Sequence, residues 1–71
     1  MRWQGNTRFG RRVELTADTI EDAVFRVALE VNRRTYVVRR MSGGMDGGCF
    51  SAWTTSSGSL QKVAEIEMRR L

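Results

Sequence analysis

Histidine and proline are missing from this chain, and cysteine and lysine each occur once. Without histidine the commonest general acid-base is gone, and a single cysteine, Cys49, excludes an internal disulfide and every zinc site built from Cys and His. Nucleophilic catalysis would have to use Cys49 or a serine with no imidazole, and Lys62 is the only lysine that could replace one. The expectation is a protein that is not an enzyme and carries no cofactor. A divalent metal would find only Asp46 and carbonyls in its loop, so no metal is expected either. Apolar runs are short: none approaches the ~20 residues that cross a bilayer, and no secretory signal is visible. A soluble cytoplasmic protein with no membrane partner follows, in agreement with one unpaired thiol.

What is present is a folding composition. Seventy-one residues with 41% hydrophobic and 28% charged side chains suit one small domain, residues 1–71, and leave no room for a second core. The net charge of +4 comes from eleven arginines and one lysine against eight carboxylates, a balance that favours planar anions such as phosphate and carboxylate. The charge is zoned. Residues 1–12 sum to +4, residues 13–32 to −4, residues 33–45 to +4 and the remainder to zero. Such zones are either a footprint for an anionic partner or surfaces that neutralise each other in the folded chain.

The pattern Ile20, Ala23, Val24, Val27, Ala28, Val31 predicts a helix from Ile20 to about Asn32 with one buried stripe. Thr19 is its cap, Glu21 and Asp22 suit its first turn, and Arg33 and Arg34 complement its end. Residues 7–16 read as one strand with Phe9, Val13 and Leu15 on the core face and Arg11 interrupting it. Thr35–Ser42 and Cys49–Thr55 read as two more strands, joined by a hairpin loop holding four glycines within residues 42–48. Residues 60–71 suit a helix by composition and a strand by the alternation of Ala64, Ile66 and Met68 with Glu65, Glu67 and Arg69; the strand is preferred. The expected fold is therefore α+β, a single helix on one face of an antiparallel sheet in the order β-α-β-β-β, with residues 1–6 flexible.

Candidate sites follow from side chains that this core does not use. Phe25 and Leu29 fall off the helical stripe and offer an apolar contact, either for the chain's own segments or for a second copy as a homodimer. On the strand from Cys49, either Phe50 and Ala52 face the helix, sending Trp53 outward beside Arg12 and one of Arg39 or Arg40, or Trp53 is the inward ring. Ring size favours the inward Trp53. An outward Trp53 would serve nucleic-acid binding by stacking, with Arg8, Arg11 and Arg12 on phosphates. The basic run Arg33, Arg34, Arg39 and Arg40 beside the flexible loop is the expected anchor for a partner.

The run from Val13 through Thr19-Ile20-Glu21-Asp22-Ala23-Val24, then an Arg-rich Tyr-Val-Val strand, a glycine turn and an aromatic strand, resembles small β-α-β-β proteins carried by phages and mobile elements. Some of these are anti-CRISPR inhibitors, and the pattern covers residues 8–56. The resemblance implies a phage protein acting without catalysis in the host cytoplasm, by occupying a protein or ribonucleoprotein complex. Many such inhibitors are acidic mimics of nucleic acid. This basic chain departs from them and points instead to an acidic protein surface, or to DNA or RNA itself. Direct nucleic-acid binding and self-association as an assembly component are the alternatives.

Overall fold

A computed structural model describes residues 1–71. The elements are β1 (Arg2–Thr7), β2 (Arg12–Thr16), α1 (Ile20–Val31), β3 (Val37–Gly43), β4 (Gly47–Ser56) and β5 (Ser59–Arg70). The five strands form one antiparallel sheet in the order β2-β1-β5-β4-β3, and α1 runs from the β2 edge to the β3 edge across one face. One helix on one antiparallel sheet is the expected class. Two strands, not one, precede the helix.

The extra strand corrects two expectations. Residues 1–6 are not a flexible lead-in: Trp3 is almost fully buried, and its indole Nε1 donates to the Ala17 carbonyl at 3.1 Å. The span 7–16 is not one strand either. Gly10 adopts φ +87°, a left-handed conformation that closes a hairpin between β1 and β2. Phe9 therefore sits at a turn and is 95% exposed, whereas Val13 and Leu15 remain against the core as expected.

Helix α1 forms where the stripe predicted it. Thr19 Oγ1 accepts from the Asp22 amide at 3.1 Å, which satisfies one free donor of the first turn. At the other end Thr35 Oγ1 donates to the carbonyls of Ala28 and Asn32, at 3.2 and 2.7 Å. Arg33 and Arg34 lie beyond the last turn, so the helix end is satisfied by a threonine and does not occupy the two guanidiniums.

Ala23, Val24, Val27 and Ala28 pack on Trp3, Phe50, Ala52, Ile66 and Met68. Small residues bring helix and sheet close. A Cβ built on Gly5 would lie 2.9 Å from both a Val27 methyl and the Met68 sulfur, so β1 passes under the helix at a point with space for hydrogen only.

The last two strands are a long hairpin whose tip, Ser57 and Gly58, has φ of 51° and 79°. Positive φ at both central residues matches the turn whose twist suits a two-residue hairpin. Residues 60–71 are thus strand, as preferred. The glycine segment is also a hairpin, but its outer glycines join the strands: Gly43 pairs with Gly48, and only residues 44–46 form the loop.

The close approach at Gly5 gives a direct test. Gly5→Val should lower stability by about 1–3 kcal/mol through overpacking against Val27 and Met68, read from the urea midpoint with an unchanged m-value.

Candidate functional site

Because α1 covers one sheet face, strand alternation sends the other set of side chains to an uncovered face. Phe50 and Ala52 are buried beneath the helix, so Cys49, Ser51 and Trp53 point away from it. Ring size misleads here: Trp53 is the outward residue. Its Nε1 donates to Ser51 Oγ at 2.9 Å, and Ser51 is buried although it faces outward. The indole is held by this bond and stays half-buried.

Alternation also separates Arg39 from Arg40. Arg40 pairs with Phe50 on the helix side, where its guanidinium lies 4.8 Å from the Phe50 ring centroid. It donates to the Gly44 carbonyl at 2.9 Å and reaches Glu21 of α1 at 3.9 Å. Arg40 is thus a tie between loop, sheet and helix, and its role as a partner anchor gives way to that. Arg39 pairs with Ser51 on the open face and forms no ion pair. The β-bulge between Arg40 and Ser42 then turns Met41 towards Cys49.

Arg33 and Arg34 lie in the connection from α1 to β3, and Arg39 follows near the start of β3. Thr54 Oγ1 donates to the Arg34 carbonyl at 2.7 Å, and the Tyr36 amide donates to the Trp53 carbonyl at 2.8 Å. These bonds hold the connecting segment against β4, next to Trp53. Tyr36, whose amide makes that bond, is 68% exposed, and it is Val37 that pairs across from Trp53. The sequence reading treated Tyr36 as a strand residue, yet β3 starts one residue later. The signal was the spacing Arg33-Arg34-x-Tyr36, which places a ring within two residues of a basic pair.

The amino-terminal arginines behave differently. Arg8 pairs with Glu65 at 3.4 Å, Arg11 with Glu30 at 3.6 Å and Arg2 with Glu14 at 3.0 Å. Here the zones of opposite charge neutralise each other. Arg12 is unpaired, but it lies on β2, and β1 and β5 separate it from Trp53 on β4. Between them β5 presents Glu65 and Glu67, so Arg8, Arg11, Arg12 and Trp53 do not form one continuous track for a polyanion. A shallow cleft of about 370 Å³ marks this middle, with Asn6, Arg8, Met41, Cys49, Glu65 and Glu67 on its walls. No group of three or more His, Cys, Asp or Glu side chains converges to hold a metal ion.

Phe25 and Leu29 are half-buried, less open than their angular position on the helix suggested. No helix is long and apolar enough to cross a membrane. No protein family, curated protein or solved structure matches this chain.

Opposite roles for neighbouring arginines predict opposite phenotypes. Arg40→Gln removes the Phe50 contact and the Gly44 hydrogen bond and should cost about 1–2 kcal/mol of stability. Arg39→Gln should stay within about 0.5 kcal/mol of the parent, as expected for a solvated side chain. Paired urea titrations measure both.

Proposed function

We propose that this chain is a non-catalytic binding module that grips single-stranded nucleic acid through Arg33, Arg34, Tyr36, Arg39 and Trp53. The observation that carries the reading is the company these residues keep. Five of the twelve cationic side chains, Arg12, Arg33, Arg34, Arg39 and Arg69, form no ion pair, and three of those five lie on the segment from Arg33 to Arg39 that also carries the exposed Tyr36 and runs along β4 at Trp53. Guanidiniums supply phosphate contacts, and exposed ring faces supply sequence-tolerant stacking worth about 1–3 kcal/mol per base. An acidic protein surface would be served by the arginines alone; the presence of Tyr36 and Trp53 on the same stretch favours bases.

Inhibition of a host nucleic-acid-handling complex, the role implied by the resemblance to anti-CRISPR proteins, belongs to this proposal in a specific form. The corner would hold a strand that such a complex leaves exposed.

Tryptophan emission tests this. Trp3 is 1% exposed, so quenching by an added oligonucleotide reports on Trp53. The parent should bind single strands with a log-log salt slope near −2, from three contacts at about −0.7 each. Arg33→Gln, Arg34→Gln and Arg39→Gln combined should weaken binding at least about tenfold and flatten that slope. Arg40→Gln should bind like the parent wherever it is folded. No quenching at low salt, or a triple variant with parental affinity, would remove the proposal. A response to an acidic peptide alone would assign the corner to a protein partner instead.

A further inference from the structure

Phe9 is the most exposed large apolar side chain in the protein, at 95%, and the turn that carries it is closed by hydrogen bonds. The Gly10 amide donates to the Thr7 carbonyl at 3.0 Å, the Thr7 amide to the Arg11 carbonyl at 2.8 Å and the Arg11 amide to Thr7 Oγ1 at 3.1 Å. Three hydrogen bonds and a left-handed glycine thus present a ring that packs against nothing in the core. Arg8, Arg11 and Arg12 surround it, and Arg12 has no carboxylate partner.

A receptor for such a ring exists at the other end of β1. A groove of about 390 Å³ opens between the start of β1, the first turn of α1 and the β3–β4 loop. Met1, Trp3, Ile20 and Met45 give it apolar walls, and Met45 is 88% exposed. Its rim carries Asp18 and Glu21, together with Arg40, which is engaged by Glu21 and the Gly44 carbonyl. Of the eight acidic side chains only Asp18 and Glu67 form no ion pair, so an unpaired carboxylate marks the groove and an unpaired guanidinium marks the knob.

We propose that a second copy of this chain seats its Phe9 turn in this groove, with Arg12 of one molecule facing Asp18 of the other. Knob and groove are different patches, separated by the length of β1, about 20 Å at 3.3 Å per residue. The contact is therefore heterologous, and copies add head to tail into a closed ring or an open filament. Self-association moves from Phe25 and Leu29, which are half-buried, to the side chain that is fully available. The binding corner at Arg33, Arg34 and Arg39 takes no part, so this inference stands independently of the nucleic-acid reading.

Sedimentation velocity over a hundredfold concentration range tests it. The parent should show mass-dependent growth, and Phe9→Ser and Met45→Glu, both at exposed positions, should each remain monomeric with unchanged circular dichroism. The deciding sample is their mixture. Met45→Glu keeps the knob and Phe9→Ser keeps the groove, so together they should form a heterodimer that grows no further. Exchange of the charges by Arg12→Asp with Asp18→Arg should restore association that either change alone weakens about tenfold. A parent that is monomeric throughout, a mixture that does not pair, or Phe9→Ser that still associates would overturn the proposal. So would a monomeric parent whose Phe9→Ser variant loses oligonucleotide or lipid-vesicle binding, which would give the knob to that partner.

Discussion

The close contact between α1 and the centre of the sheet is the constraint on which the rest of the molecule depends. Ala23 and Ala28 on the helix, with Gly5 and Ala52 on the strands, leave little space between the layers. Trp3, Phe50, Ile66 and Met68 fill what remains. With only one helix, this contact is the whole apolar interior, and a chain this small has little surplus burial elsewhere. Every other surface must then be stabilised by polar means or left for a partner. The outward faces show the first solution in Ser51 under Trp53 and in Gln4, which accepts from Asn6 at 3.2 Å. No buried side-chain polar atom is left without a hydrogen bond.

The same constraint decides which arginines remain free. Most cations beside the acidic helix or β5 find carboxylates, Arg69 excepted, and Arg40 is drawn inward to bind the glycine loop down onto Phe50. Cations at the α1–β3 junction find none. The basic character of the chain is thus distributed unequally: one corner keeps its charge, while the amino-terminal cluster is largely spent on Glu65, Glu30 and Glu14.

Much of this was readable from the residues. The helix was legible from its first residue to its cap, since apolar spacing and Thr19 specify it locally. The strand character of Ser59–Arg70 was legible because Ile66 and Met68 alternate with charges. β1 was not, because Arg-Trp-Gln-Gly-Asn-Thr has weak strand preference and pairs only through neighbours on both sides, a tertiary effect. Phe9 and Trp53 were misplaced for a shared reason. Hydrophobicity assigns large rings to the interior, but a left-handed Gly10 removes Phe9 from its strand, and a one-residue difference in facing exchanges Phe50 for Trp53. The candidate corner was half legible. Its arginines stood out, but the exposure of Tyr36 became visible only once β3 was seen to begin at Val37.

The order β2-β1-β5-β4-β3 means that neither neighbour of the middle strand is complete without it. β1–β2 is one local hairpin and β3–β4–β5 a local meander, and the β1–β5 ladder alone joins them, through partners as remote as Trp3 and Arg70. Short-range pairing therefore yields two unconnected halves, and cooperative structure arises only when the sixty-residue gap is closed, a topology that favours slow assembly over rapid zipping. Until that closure the facing edges of β1 and β5 stand bare, and a polypeptide that dwells there is open to pairing with the wrong neighbour.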